Sequence, residues 1–144
     1  MRPAASAGER RVGGVNSPLD ATYRAYLDAL NDRRFDDLDR FVHDHVTHNG
    51  RRMTRQQYAD MIADDVRRIP DLRFAIDLCV TTDDTVACRL WFDCTPELEF
   101  AGIAPTGRRV AFAEHVFYRF VDGRIDEVWS LVDTAAVRDQ QTAR

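Results

Sequence analysis

The spacing of apolar positions changes once along the chain, from a helical period to a period of two. Leu19, Tyr23, Tyr26, Leu27 and Leu30 recur at helical spacing. They follow Asn16-Ser17-Pro18, a capping Ser and then Pro at the first helical position. This predicts a helix to about Asn31. A second short helix is expected over Phe35–Val42, its aspartates a solvated, capping face near the positive end of the dipole. A third is expected from Arg55 to about Arg68, capped by Thr54 and stopped before Pro70. Its stripe of Tyr58, Met61, Ile62, Val66 and Ile69 reads as core that also serves as pocket wall.

Beyond Pro70 the period is two. Leu72–Val80 alternates loosely and reaches a turn at Asp83-Asp84. Thr85–Thr95 places Val86, Cys88, Leu90, Phe92 and Cys94 on one face and Ala87, Arg89, Trp91 and Asp93 on the other. An irregular, Pro- and Gly-containing connection to Gly107 precedes a long hairpin closed near Asp122-Gly123. Residues 1–17 read as a disordered tail without the apolar region of a signal peptide, and Ala135–Arg144 is expected to trail away. Helices followed by an antiparallel meander predict an α+β fold. A curved sheet over about three N-terminal helices makes a cone with a hollow interior, one domain over 18–140.

Glu114 interrupts this pattern. It shares the face of Val110, Phe112, Val116 and Tyr118, and a lone carboxylate on an apolar strand face is paired, strained or functional. Its neighbours depend on the turn. A three-residue loop, Val121-Asp122-Gly123, opposes Glu114 to Ser130, Val116 to Val128 and His115 to Trp129. A two-residue loop opposes Glu114 to Leu131 and Val116 to Trp129. The three-residue loop is favoured and puts Val128, Ser130 and Val132 on the Glu114 face. The other face then carries Trp91, His115, Phe117, Trp129 and Leu131, costly to leave wet, so a homodimer through it is expected.

Of the clustered histidines, His43 and His45 share one strand face with Thr47, and His48 falls on the face of Val46. A chelating triad needs one side, so no metal is expected. A net charge of −4 without a basic stripe argues against a nucleic-acid partner. With no apolar run of about eighteen residues, no membrane span is expected. Cys79, Cys88 and Cys94 lack CxxC spacing and read as small buried residues, which suits a reducing cytoplasm.

The chain resembles the SnoaL-like polyketide cyclase (ester cyclase) family of the nuclear-transport-factor-2-like cone fold. The resemblance rests on Tyr26-Leu27-Asp28-Ala29-Leu30-Asn31, on His48-Asn49-Gly50-Arg51 with Thr54 and Tyr58, and on Gly102-Ile103-Ala104-Pro105-Thr106-Gly107-Arg108. Tyr118-Arg119-Phe120-Val121-Asp122-Gly123-Arg124-Ile125, Trp129 and Asp133 complete it. It implies ring closure of a polyketide by intramolecular aldol condensation, without metal or cofactor. The family's catalytic Asp, strand His, Gln and Asn fall at Ser130, Val116, Glu114 and His48, and two pocket positions at Leu30 and Met61. The family's acid/base pair is therefore absent from these positions.

Glu114 and His48 are expected to replace it by pointing into the cone together, with Ser130 beside them. Burial would raise the Glu acidity constant and pairing with a charged His would lower it. Ketosteroid isomerase, which shares this fold type, uses a protonated buried acid as a donor. Leu30, Tyr58, Met61, Phe92, Phe112, Val116, Tyr118 and Val128 are the expected walls for a small hydrophobic molecule. The expected activity is cyclisation or isomerisation by proton transfer. The alternatives are a non-catalytic ligand-binding module and a hydrolase or epoxide-opening enzyme. Tyr118 donates to Glu114 or a ligand, or packs with its hydroxyl outward. Asp133 is a strand-end structural group or a pocket-mouth acid.

Overall fold

The computed structural model describes residues 10–11 and 18–142, with side chains over 18–142. Helix α1 is Pro18–Asn31, followed by a 3-10 helix, Phe35–Arg40. Strands β2 (Val42–His48) and β3 (Arg51–Thr54) form a hairpin on Asn49-Gly50, both at positive φ. Helix α2, Arg55–Arg68, begins on a reciprocal capping box. Thr54 Oγ1 accepts the Gln57 N–H at 3.1 Å, and Gln57 Oε1 accepts the Thr54 N–H at 2.8 Å. Strands β4 (Ala75–Thr81), β5 (Thr85–Cys94), β6 (Val110–Val121) and β7 (Arg124–Val132) follow. A two-residue strand, β1 (Arg10–Arg11), pairs in parallel with β4. It lies within the expected tail; the rest of residues 1–17 falls outside the described residues.

The sheet order is β1-β4-β5-β6-β7-β2-β3. β4 to β7 form the expected antiparallel meander, whereas β2 joins β7 in parallel and carries its His48 end to the middle of the domain. One face of the sheet packs on α1 and α2 in a continuous core that includes Tyr23, Tyr26, Leu30, Tyr58, Leu90 and Val116. Among the described residues, no helix is long and apolar enough to cross a membrane.

Two expectations are corrected. Asp122 and Gly123 both take positive φ, 50° and 80°, so the hairpin closes on a two-residue turn. An extra residue in β7 at Asp126, between the pairs Phe120–Ile125 and Arg119–Glu127, then shifts the register. Glu114 opposes Val132, Val116 opposes Ser130, Tyr118 opposes Val128 and Phe117 opposes Trp129. Ser130 and Val128 keep the face expected of them, because a shift of two residues preserves the pleat.

The C-terminal segment does not trail away. It forms helix α3, Thr134–Thr142, started by Asp133, whose Oδ1 accepts the Ala136 N–H at 3.0 Å. Asp133 is exposed and acts as this structural cap. Gln140 accepts the Ala111 N–H at 2.8 Å and donates to the Ala111 carbonyl at 2.6 Å. Gln141 Oε1 accepts from the Thr106 N–H and hydroxyl, and its amide donates to the Arg108 carbonyl at 3.2 Å. These bonds and the buried Val137 hold α3 against β6.

Candidate active site

A cavity of about 330 Å³ opens between α1, α2 and the concave face of β5, β6 and β7. Glu114, His48 and Ser130 all line it. So do Leu30, Tyr58, Met61, Val116, Tyr118 and Val128. Phe92 and Phe112 do not. They lie two positions further along β5 and β6, packed as a pair with centroids 5.1 Å apart beneath Phe74 and Phe100. The aromatic cluster closes that end of the cone and leaves these rings in the core.

Ser130 Oγ donates to Glu114 Oε2, a diagonal contact made possible because Ser130 opposes Val116 rather than Glu114. Among the described residues, Oε1 of Glu114 takes no hydrogen bond. Asn49 holds Ser130 in place. Its Oδ1 accepts the Ser130 N–H at 2.8 Å and its Nδ2 donates to the Ser130 carbonyl at 3.0 Å. The Asn49 N–H continues the ladder to the Val128 carbonyl at 2.9 Å. Asn49 reads in sequence as a turn residue, and only the parallel β2–β7 pairing reveals this second use.

His48 pairs with Val128 and sits with its ring centroid 6.2 Å from that of Tyr58. The expected direct partnership with Glu114 is not made: no hydrogen bond or ion pair joins them among the described residues, and Ser130 occupies that place. Burial pushes the Glu114 carboxyl up against the opposing pull of the Ser130 hydroxyl, and burial pushes His48 down. Desolvation therefore prevails over ionic pairing at both groups, and each is biased toward its neutral form.

Beside the expected Tyr58 and Tyr118, the cavity is lined by Tyr26 and Asp65, which the sequence pattern did not place in the site. Tyr26 and Tyr58 hydroxyls are 2.6 Å apart and buried. One donates to the other, leaving a second O–H free to donate elsewhere. Tyr118 packs against Tyr23 and Tyr26, at 5.0 and 5.9 Å, and makes no hydrogen bond to Glu114 among the described residues. Asp65 lines the same cavity from α2. Burial first, then the Glu114 charge, push its carboxyl up to about 6. The signal was available: Tyr58, Met61, Ile62 and Asp65 are one i, i+3, i+4, i+7 row. The expected stripe gave that place to Val66, which packs against the core's edge. His43 and His45 are elsewhere, His43 Nε2 donating to the Val121 carbonyl at 2.6 Å and His45 beside Asp44 on the surface. Among the described residues no three His, Cys, Asp or Glu side chains gather as a metal site.

Residues 20–141 match the family described as SnoaL-like polyketide cyclase. The chain is similar to a SnoaL-like polyketide cyclase from Agrobacterium tumefaciens, with 45% identity over 88% of this chain and 98% of that one, and a TM-score of 0.82. IdmH from Streptomyces antibioticus shares the fold at 23% identity, covering 86% of this chain and 98% of its own, with a TM-score of 0.76. TsrD from Streptomyces laurentii does so at 20% identity, covering 88% and 96%, with a TM-score of 0.78. Among curated proteins none matches.

Proposed function

From the premise that the chain belongs to the SnoaL-like polyketide cyclase family, we propose that it is an acid/base enzyme working without a cofactor. Its substrate is a hydrophobic, ring-containing or polyketide-like carbonyl compound held in the cone. The observation that carries this reading is Glu114: a desolvated carboxyl lining the cavity, with one oxygen held by Ser130 and the other without a hydrogen bond among the described residues. Burial makes such a group hold its proton more tightly than an ordinary carboxyl does, which moves it toward the range where a general acid or base is most useful. Glu114 takes a proton from carbon next to a carbonyl, and the C–H electron pair moves to the carbonyl oxygen. The Tyr26–Tyr58 pair, with one hydroxyl proton to spare, supports a role in receiving that oxygen. His48, with neither ring nitrogen hydrogen-bonded among the described residues, assists proton movement on the same side. The enolate carbon then closes a ring on a second carbonyl or is reprotonated elsewhere.

Deuterium uptake by a hydrophobic ketone such as 2-tetralone in D2O, followed by NMR, tests the assignment. E114Q is expected to slow uptake about 100-fold or more while its melting profile remains cooperative. Wild-type rates in E114Q would sink it. The second reading, a ligand-binding module without chemistry, draws on Ser130 and Val116 standing where the family carries its acid/base pair. It predicts ligand retention in native mass spectrometry with no exchange by the wild type. Epoxide opening has less support, because no arginine is among the cavity-lining residues. Three buried free thiols are compatible with work in the cytoplasm, and the exposed sheet face supports a homodimer.

A further inference from the structure

Helix α2 carries Asp60, Asp64 and Asp65, and their partners separate them. Asp60 accepts from Gln56 at 2.8 Å. Asp64 takes Arg67 at 2.6 Å and Arg68 at 2.8 Å. Arg68 is occupied further by the Glu99 carbonyl. The Asp65 carboxylate takes no hydrogen bond among the described residues, although it is half-buried at an apolar cavity. Leaving a carboxyl there without a partner is unfavourable for the fold. On the sheet side of the same cavity stands Glu114, whose Oε1 is likewise open. The cavity, of about 330 Å³, thus has a carboxyl on its helical wall and another on its sheet wall.

We propose that Asp65 is the second acid/base group of this cavity: Glu114 removes a proton from the bound carbonyl compound and Asp65 returns one to the oxygen or carbon that ends the reaction. This rests on the reading of Glu114 given above. One C–H bond breaks and its proton goes to the Glu114 carboxylate. The electron pair passes through the enolate into the new C–C bond, and the π pair of the second carbonyl moves onto its oxygen as the alkoxide. The alkoxide takes the Asp65 proton. The carboxyls have then exchanged their single charge, which water restores, and no oxidant, metal or co-reactant enters. The pair works because two nearby carboxyls in a desolvated space resist losing both protons. Burial and the Glu114 charge, with a smaller push from Asp64, hold the Asp65 proton, and Arg68 opposes them. The other titratable groups lining this space are Tyr26, Tyr58, Tyr118 and His48.

Carboxyl-carbon NMR titration of the full chain tests the pair without any substrate. In wild type Asp65 should titrate near pH 6. In E114Q its midpoint should fall by about half a unit or more, as expected when a like charge is removed. An unchanged midpoint would overturn the pairing, whatever the enzyme does with a probe. In the 2-tetralone exchange assay, D65N should lose at least about tenfold in kcat with little change in KM. It should also lose the limb of the pH profile that falls near pH 6 in wild type. Full exchange by D65N with that limb intact, alongside an inactive E114Q, would overturn the role of Asp65 and leave Glu114 standing. Loss of effect in both variants would remove both assignments. Asp65→Ser is the second variant, with the same expectations, should D65N fail to fold.

Discussion

Asp65 and Glu114 bind their protons more tightly in the folded chain than ordinary carboxyls do, so the site is stabilised by acid and strained by base. For Asp65 the folded value of about 6 lies above the ordinary 3.8. Between those values the folded state holds a proton that the unfolded state has released. Its contribution to stability is therefore full below about pH 4 and lost as pH rises through 6. The lost amount is up to about 3 kcal/mol. Urea melts of wild type and D65N should show the variant gaining on wild type by up to about that amount between pH 4 and pH 8. A constant difference across that range would mean that Asp65 titrates normally. His48 has the opposite bias. Its folded value is lowered by burial, so its contribution is present above the ordinary His range and is lost as pH falls. The site is thus a compromise among buried groups that each prefer neutrality, the usual condition of a proton-transfer centre.

At the scale of elements, the helix that carries Tyr58 and Asp65 depends on how it starts. The Thr54–Gln57 box satisfies two backbone and side-chain contacts at once, so Thr54→Ala should cost about 1 kcal/mol in chemical denaturation. Because α2 is one wall of the cavity, the same substitution should loosen probe binding more than it changes kcat. Helices α1 and α2, the meander and the inward face of β6 were legible because each follows one hydrophobic period over many residues. The β6–β7 register was not. Asp122-Gly123 could serve either loop, and the mark of the extra residue is small: two adjacent acids, Asp126 and Glu127, between the buried Ile125 and Val128. Asp65 escaped because the helical row was read by hydrophobicity, and an acid there counts against the row unless the cavity is known. Helix α3 escaped because its anchors are Gln140 and Gln141, polar side chains that bond backbone. Asn49 escaped because its second role requires a parallel pairing between strands distant in sequence.

At the scale of the whole molecule, the convex face of the sheet remains to be covered. Trp91, expected on that exposed face, is only 8% exposed. Arg89 lies 5.7 Å over its ring, and the neighbouring groove is bounded by α3 at Ala136 and Gln140. Arg89 also donates to Asp77 at 2.9 Å and to His115 Nε2 at 2.7 Å, so His115 belongs to a surface polar chain rather than to the cavity. The exposed apolar groups are therefore concentrated at the β6–β7 side: Phe117 at 50%, Trp129 at 38% and Leu131 at 74%. Phe117 directly opposes Trp129, and Arg119 lies 5.6 Å over the Trp129 ring, giving an aromatic centre with a charged rim. That composition suits an interface core, and a two-fold axis through the face would set Leu131 and Phe117 of one copy on those of another. Wild type should sediment as a dimer, and Leu131→Arg should shift it to monomer. The cavity lies on the opposite, concave face, so the E114Q-sensitive exchange should survive in L131R with its rate per chain nearly unchanged. A wild-type monomer at micromolar concentration would remove the dimer. A monomeric L131R that loses exchange would instead show that association supports the shape of the cone.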